Sequence, residues 1–411
     1  MNSDHSSGSE INRSRDYAWP LWPVLPLYPR GNRKTLLREV VPNLVWTFDQ
    51  IQGIFYVVVP IRMTVVKLEG GGLLVYAPVA PTNECICLMN QLVEAHGKVQ
   101  YIILPTTSGL EHKIFVGPFA RRFPEAEVFI APGQWSFPVN LPLSWLGFPG
   151  RRTRVLPLDS RQTPFANQFN YEILGPINLG LGQFSEVAFL DRRSHTLLLT
   201  DTLISIPAEP PAIVQLDPYP LLFHARDAAA DPMIDTPAQR LKGWQRICLF
   251  AAYFQPGALG SKIDWAQVLR MARDSQDKSA RNYFGLFPFK WQPDWQDSFE
   301  CLRGEGRLLV APVLQSLILN RAFEETSRWA GTIENWSFER VVSCHFDSPI
   351  VPKSDEFKQA FALLQPQYPD ASDLLRNCDY SLPEADLQLL RKLEVVLSRW
   401  GILIPPQDRT R

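Results

Sequence analysis

The sequence predicts an α+β protein in which two β-rich stretches alternate with two helix-rich stretches. Apolar runs broken by a glycine turn fill residues 44–81. A capped helix, a strand, a second helix and another strand then follow in residues 82–132. A hairpin at 186–203 precedes a long helical region. The β–α–β–α–β order indicates a partly parallel sheet with helices on its faces.

The first β-rich stretch contains strands separated by turn residues. N-L-V-W-T-F-D and F-Y-V-V-V-P-I-R-M-T-V-V-K-L come before G-G-G at 70–72, and L-L-V-Y-A-P-V-A-P comes after it. This pattern is typical of a meander. Thr82 then predicts the start of a helix that Gly97 ends. The strand V-Q-Y-I-I-L-P, a helix through I-F-V-G-P-F-A-R-R-F and the strand V-F-I-A-P complete the stretch.

The second half repeats the alternation. Residues 171–180 and 186–203 predict strands, the latter with a D-R-R-S turn and a buried strand that ends at Asp201. A proline-rich loop runs to about residue 220, and two helices occupy 237–273. Helical character continues across 312–330, a short strand at 338–346 ends on His345, and a last helix covers 385–400.

Composition excludes several classes of function. The 411 residues are 45% hydrophobic and 20% charged, with a net charge of −1, so no basic field exists for nucleic acid or an anionic membrane. Six scattered cysteines form no C-x-x-C pair, which indicates reduced thiols. The polar N-terminus lacks the apolar segment of a secretory signal. We therefore expect a cytoplasmic protein that binds neither nucleic acid nor membrane.

Residues 102–113, I-I-L-P-T-T-S-G-L-E-H-K, join an apolar run to a carboxylate beside a histidine. The run predicts a buried strand, and Glu111 and His112 would then lie at the mouth of a site where that strand ends. Carboxylate and imidazole are zinc ligands. The stretch allows three interpretations: a complete metal site, a metal site with fewer ligands, or the remnant of a metal site that has been lost.

The order of elements and this motif resemble the metallo-β-lactamase superfamily, an αββα sandwich. In that family a strand ends in T-H-x-H-x-D-H. The corresponding stretch here is P-T-T-S-G-L-E-H at 105–112, with Thr107 and Gly109 at the positions of the first two histidines. Glu111 stands at the aspartate and His112 at the last histidine.

Two further ligand positions of the family are matched later in the chain. The hairpin strand that ends in D-T-L places Asp201 at the bridging aspartate, and R-V-V-S-C-H-F places His345 at the late-strand histidine. The family's histidine in the turn before the hairpin falls at about Gly182 or Gln183.

The resemblance covers roughly residues 44–350. It implies a metallo-β-lactamase-like domain there. The Ser-, Asn- and charge-rich residues 1–16 predict a disordered tail, 17–43 form an aromatic and proline-rich arm, and 351–411 predict a C-terminal helical extension. The arm, the L-P-T-T-S-G-L-E-H-K variant and the C-x-F-x-x-P ending together resemble DUF4336. That branch of the superfamily, from cyanobacteria and plant chloroplasts, is described only as a domain of unknown function.

The resemblance also implies a reduced metal site. In the family one metal is held by three histidines, all absent here, whereas the residues of the second site remain as Glu111, His112 and His345, with Asp201 adjacent. This set could hold a single Zn or Fe ion and support hydrolysis of a small-molecule carbonyl, thioester or phosphoester. Asp201 would orient the water or accept its proton.

The same residues also allow a metal-free interpretation. Glu111 and His112 could cap the following helix, Asp201 could accept hydrogen bonds in a turn, and His345 could be a core residue. The chain would then be a non-catalytic scaffold that binds a small molecule or a protein. His224 lies in a predicted loop that could fold over the site, and Cys344 should face away from the site if its strand neighbour His345 faces it.

Overall fold

The computed structural model describes residues 16–21, 27–108, 111–136, 140–260, 263–362 and 382–406. The predicted disordered tail lies outside the described residues except for Asp16, and so does the middle of the predicted arm. Among the described helices, none is both long enough and apolar enough to cross a membrane.

The described residues form thirteen strands and eleven α-helices. The strands are β1 Leu36–Val41, β2 Val45–Ile54, β3 Val57–Lys67, β4 Leu73–Tyr76, β5 Val99–Leu104, β6 Glu127–Ile130, β7 Thr153–Val155, β8 Phe169–Gly180, β9 Gly182–Asp191, β10 Thr196–Leu199, β11 Leu203–Ile204, β12 Leu309–Val310 and β13 Arg340–Ser343. The helices are α1 Asn83–His96, α2 Lys113–Arg122, α3 Ala212–Gln215, α4 Tyr219–Ala225, α5 Pro237–Tyr253, α6 Trp265–Asp274, α7 Trp295–Arg303, α8 Pro312–Leu317, α9 Phe323–Glu334, α10 Glu356–Ala362 and α11 Glu384–Arg399.

Two sheets dominate the fold. The first has seven strands in the order β1 to β7, antiparallel from β1 to β4 and parallel from β4 to β7. The second has the order β13-β10-β9-β8, in which only β10 and β13 run parallel. Strands β11 and β12 form a separate antiparallel pair.

The two sheets pack face to face, as the alternation of their side chains between two cores shows. On β4, Leu74 and Tyr76 join the core between the sheets, whereas Leu73 and Val75 pack toward α1 and α2. On β10, Leu198 enters the same inter-sheet core, while its neighbours pack toward α9 and α10. Because successive residues of a strand point to opposite faces, both sheets are apolar on both sides. The layers are helix, sheet, sheet and helix, which confirms the predicted αββα sandwich.

The start of α1 follows the predicted signals. Thr82 is the N-cap, and its hydroxyl accepts a hydrogen bond from the backbone N–H of Cys85. Gly97, with φ of 98°, ends the helix, and its N–H donates to the carbonyl of Val93.

Three predicted elements differ from the structure. The strand predicted to end on His345 ends at Ser343, and the hairpin strand predicted to end at Asp201 ends at Leu199. The proline-rich segment at 206–220 contains α3, and α4 begins within it at Tyr219. Proline pre-sets the backbone angle of a first helical turn, so these prolines begin short helices instead of preventing them.

A third group of helices packs beyond the sandwich. Helix α5 buries Trp244, Ile247 and Leu249 in a core shared with Ile51 of β2 and Val58 of β3. Leu390 of α11 joins this core and is completely buried. The helices therefore cover one end of the first sheet.

Candidate metal centre

The register of two parallel strands brings Asp201 and His345 together. Leu199 at the end of β10 pairs with Ser343 at the end of β13. Asp201 and His345 each lie two residues beyond these partners, so they leave the sheet side by side. Nε2 of His345 lies 3.0 Å from Oδ1 of Asp201.

The segment after β5 delivers Glu111 to the same place by crossing from the first sheet to the second. The backbone N–H of Val187 donates to the Pro105 carbonyl at 2.8 Å, and that of Thr107 donates to the Ser185 carbonyl at 3.1 Å. The sheets therefore close against each other at this end. Oε2 of Glu111 lies 3.1 Å from Nε2 of His345.

Of the four residues selected in the sequence, the structure brings Glu111, Asp201 and His345 together. One donor atom from each lies within 4.8 Å of the other two. The three side chains are 29%, 13% and 10% exposed, respectively. Two carboxylates and an imidazole so placed are a ligand set for a divalent cation.

The hydrogen bonds of His345 define which nitrogen faces the cluster. Its Nδ1 lies 3.0 Å from the Pro60 carbonyl on β3, and because a carbonyl only accepts, Nδ1 donates. Nε2 then faces carboxylate oxygens of Glu111 and Asp201. An unprotonated Nε2 would direct its lone pair at these two negatively charged oxygens and be repelled by them. Nε2 therefore requires a proton or a metal cation.

Without a metal, the two acids hold a proton on this ring. Burial alone would lower the pKa of His345, but the charge of Glu111 and the hydrogen bonds to Asp201 and Glu111 raise that pKa well above its ordinary value. Burial would raise the pKa of Glu111, whereas attraction to His345 brings it below its ordinary value.

His112 lies near the cluster but outside the set of three. Its ring centroid is 6.5 Å from that of His345. Nδ1 donates to the Pro78 carbonyl at 3.1 Å, and Nε2 is buried without a hydrogen-bond partner. Burial, together with the nearby charge of His345, lowers the pKa of His112 to about 4. His112 is therefore a neutral imidazole with a free Nε2 lone pair.

Two residues that the sequence analysis did not select orient Asp201. Thr106 donates its hydroxyl proton to Oδ2 of Asp201 at 3.1 Å. The buried carboxylate of Glu186 accepts hydrogen bonds from the backbone N–H groups of Thr200, Asp201 and Thr202. Burial and the charge of Asp201 raise the pKa of Glu186 above its ordinary value. The sequence contained one signal for Glu186. It is a glutamate in the apolar strand E-V-A-F-L, and a buried glutamate nearly always has bonding partners.

A buried ion pair orients the segment that carries His345. Arg62 on β3 bonds to both carboxylate oxygens of Asp49, at 2.7 and 3.2 Å. The same guanidinium donates to the Ser343 carbonyl at 2.6 Å and to the Phe346 carbonyl at 3.2 Å. It thus bonds to the backbone on both sides of His345. An arginine inside the run V-V-V-P-I-R-M-T-V-V was a visible anomaly in the sequence.

A cavity of about 930 Å³ opens onto the cluster and is called the site cavity below. Its lining includes Glu111, Asp201, His345, Thr107 and Lys113. Nζ of Lys113 donates to the Trp135 carbonyl at 2.5 Å, and burial lowers the pKa of this lysine to about 8. The cavity has the size of a small-molecule site.

His224 and Cys344, which were also considered in the sequence, are core residues. His224 was expected in a loop over the site, but it lies fully buried in α4, with Nε2 donating to the Phe55 carbonyl at 3.2 Å. Cys344 is buried in the core between the sheets. His112 occupies the N-cap of α2, and its side chain makes no capping hydrogen bond.

Comparison with models of protein families shows to which family the chain belongs. The model described as "Domain of unknown function (DUF4336)" matches residues 42–363, which is more than half of the sequence. The chain belongs to the DUF4336 family. This confirms the resemblance inferred from the motifs. No curated protein matches this DUF4336 chain in sequence.

Solved structures with a similar arrangement have low sequence identity to this DUF4336 chain. The metal-soaked Flv1 flavodiiron core from Synechocystis sp. PCC6803 is 10% identical, with a TM-score of 0.40, and the match covers 82% of this chain and 62% of that one. A diflavin flavoprotein fragment from Nostoc sp. PCC 7120 is 12% identical, with a TM-score of 0.38 and coverage of 85% and 100%. A metallo-beta-lactamase from Pontibacter korlensis is 12% identical, with a TM-score of 0.32 and coverage of 43% and 75%.

Proposed function

We propose that this protein is a hydrolase that holds one Zn or Fe ion with Glu111, Asp201 and His345. The observation that carries the proposal is the orientation of His345. Its Nδ1 donates to the Pro60 carbonyl, and its Nε2 faces two carboxylate oxygens at 3.0 and 3.1 Å. Metal-binding histidines are usually oriented in this way by a second hydrogen bond.

The surrounding donors fit a metal ion. The carboxylates supply negative charge, and His345 supplies the nitrogen that Zn and Fe prefer. His112 adds a buried Nε2 without a partner, and its Nδ1 donates to a carbonyl as that of His345 does. A buried imidazole atom with no hydrogen bond is costly, which supports its use as a further ligand.

The chain's own residues supply the remaining chemistry of hydrolysis. When bound, a Zn or Fe ion would contribute Lewis acidity, which makes water more acidic and a substrate carbonyl or phosphoryl group more electrophilic. Asp201 is oriented by Thr106 and would accept the proton that the attacking water loses. Lys113 lines the same cavity and can donate a hydrogen bond to an anionic group of the substrate.

Metal analysis of the full chain purified without chelator tests the proposal. We expect about one Zn or Fe per chain, and a loss of most of it in His345→Ala and in Asp201→Ala, because each removes a ligand of a three- or four-ligand site. His195→Ala is the matched control, since His195 is exposed in the hairpin turn and bonds to the Ser337 carbonyl. His112→Ala shows whether that imidazole is a fourth ligand.

Absence of metal in the wild type, together with an unfolding temperature that EDTA does not change, would contradict the proposal. Metal that is retained in both His345→Ala and Asp201→Ala would contradict the assignment of ligands. Neither result depends on knowing the substrate.

One observation favours a second function, a metal-free binding scaffold. A protonated His345 would satisfy Glu111 and Asp201 without any ion, because its Nε2 lies 3.1 and 3.0 Å from their carboxylate oxygens. The site cavity would then bind a small molecule without hydrolysing it. A metal-free wild type with unchanged stability in EDTA is the result that this function predicts.

A further inference from the structure

A second cavity, called the apolar chamber below, lies beside the site cavity. Its volume is about 760 Å³. Aromatic and aliphatic side chains form its wall, among them Phe223, Phe250, Tyr283, Leu286 and Phe289. Concave apolar spaces of this size bind the hydrophobic parts of small molecules.

The apolar chamber and the site cavity share a wall. Val59, Glu111, Ala251 and Phe254 line both. Among the described residues that line the chamber, Glu111 is the one charged side chain. The carboxylate of the candidate metal centre therefore stands at the wall that the apolar chamber shares with the site cavity.

The mouth of the apolar chamber is also apolar. Ile54, Phe55, Phe254 and Trp265 line the chamber and are 52%, 67%, 50% and 56% exposed. Soluble proteins seldom expose several large apolar side chains in one place unless that surface has a binding role. A ligand that enters here meets apolar surface from the rim to the junction with the site cavity.

We propose that the apolar chamber binds the hydrocarbon chain of an amphiphilic substrate, a fatty acyl ester or thioester, with its carbonyl group beside Glu111. This proposal rests on the hydrolase function for its reaction, but the binding of the chain does not require the metal. In the reaction water forms a bond to the acyl carbon and the bond to the alcohol or thiol breaks. The leaving group takes a proton, and the products are a fatty acid and an alcohol or thiol.

Fluorescence titration of the full chain with cis-parinaric acid, a fluorescent long-chain fatty acid, tests the proposal. Saturated fatty acids should displace the probe, and their affinity should rise about fourfold for each added methylene group until the chamber is filled. The titration is performed with and without EDTA. Binding of the probe should persist in EDTA even where the metal is removed.

A variant at the shared wall locates the binding site. Ala251 is half-buried in the wall that the two cavities share. The variant Ala251→Trp should therefore weaken probe binding at least tenfold. Ala238 is exposed on the same helix and lines neither cavity, so the variant Ala238→Trp should bind the probe as tightly as wild type does. Trp265→Glu, at the exposed mouth, should weaken binding without disturbing the core.

The outcomes separate this proposal from the hydrolase function. Absence of probe binding, or equal binding in wild type and Ala251→Trp, overturns the proposal even if the metal is present. Affinity that does not depend on chain length also overturns it. Probe binding by a wild type that contains no metal when purified without chelator leaves the chamber assignment intact and contradicts only the hydrolase function.

Discussion

At the scale of single residues, the candidate metal centre depends on groups that orient its ligands. Two carbonyl groups, from Pro60 and Pro78, each accept a hydrogen bond from Nδ1 of a histidine. Glu186 accepts backbone hydrogen bonds around Asp201, and Arg62 donates to the backbone around His345. A ligand set placed in this way loses little conformational entropy when an ion binds.

We predict that Arg62→Met destabilises the protein by about 3–5 kcal/mol, because Asp49 would remain buried without its partner. Urea denaturation measures the free energy of unfolding. The double variant Asp49→Leu/Arg62→Met removes both charges and should recover much of this loss. A double variant no more stable than Arg62→Met would contradict the assignment of the cost to the unpaired carboxylate.

A second residue-scale prediction concerns pH. Burial lowers the pKa of His224 to about 3, whereas an unfolded histidine titrates near 6.5. Between these values the unfolded chain binds more protons than the folded one, so His224 makes the free energy of unfolding fall as pH falls from about 6.5 toward 3.

The variant His224→Gln should remove this contribution. Its free energy of unfolding should depend less on pH between pH 4 and 6, by up to roughly 1.4 kcal/mol per pH unit. His195→Gln, at an exposed position in the hairpin turn, is the matched control. Parallel curves for wild type and His224→Gln, measured by urea denaturation at each pH, would show that burial of His224 is not the cause.

At the scale of elements, close approaches between helices limit which side chains fit. Gly243 of α5 lies against α4, where an added Cβ would be 1.8 Å from the Leu221 carbonyl oxygen. Gly331 of α9 has no atom within 4 Å of the corresponding position. The two glycines both lie inside helices but differ in available space.

We predict opposite effects of alanine at these two positions. Gly243→Ala should lower the free energy of unfolding by about 2 kcal/mol or more, because α4 and α5 must separate. Gly331→Ala should raise it by about 0.4–1 kcal/mol, since alanine restricts the unfolded chain and costs nothing in the folded helix. Thermal and urea denaturation of both variants measure the difference, and a loss of stability in Gly331→Ala would contradict the explanation.

At the scale of the whole molecule, the C-terminal helix α11 joins parts of the chain that are distant in sequence. Asp386 accepts a hydrogen bond from the Gly257 N–H at 2.7 Å, and Glu394 pairs with Arg321 at 3.0 Å. The N–H of Leu181 donates to the Ile402 carbonyl beside the β8–β9 turn. Helix α11 and the residues after it therefore contact both the helices that pack beyond the sandwich and the second sheet.

We predict that Leu390→Ala, in the buried face of α11, lowers the free energy of unfolding by about 2–5 kcal/mol. Val395→Ala on the same helix is 51% exposed in the wild type and should change stability by no more than about 0.5 kcal/mol. Circular dichroism during urea denaturation measures both. Equal effects of the two substitutions would contradict the packing of α11 described here.

The sequence by itself determined the layers and most of the elements. Period-two apolar strands and capped helices are local signals, and they predicted the αββα order, the helix between Thr82 and Gly97, and the hairpin before Asp201. It also selected Glu111, Asp201 and His345, because these residues match a known motif. It misplaced the ends of the strands that precede Asp201 and His345, since the alternation of side chains continues past the last ladder hydrogen bond.

Only the tertiary structure decided how the site is built. The register Leu199↔Ser343 brings Asp201 and His345 together across 144 positions of sequence, and no local pattern encodes such a pairing. The same holds for Arg62 bonding to the backbone around His345, for Glu186 at the Asp201 segment, and for His224 inside the core. Burial and partner atoms set the charge of a polar group, and both arise from contacts between distant segments of the chain.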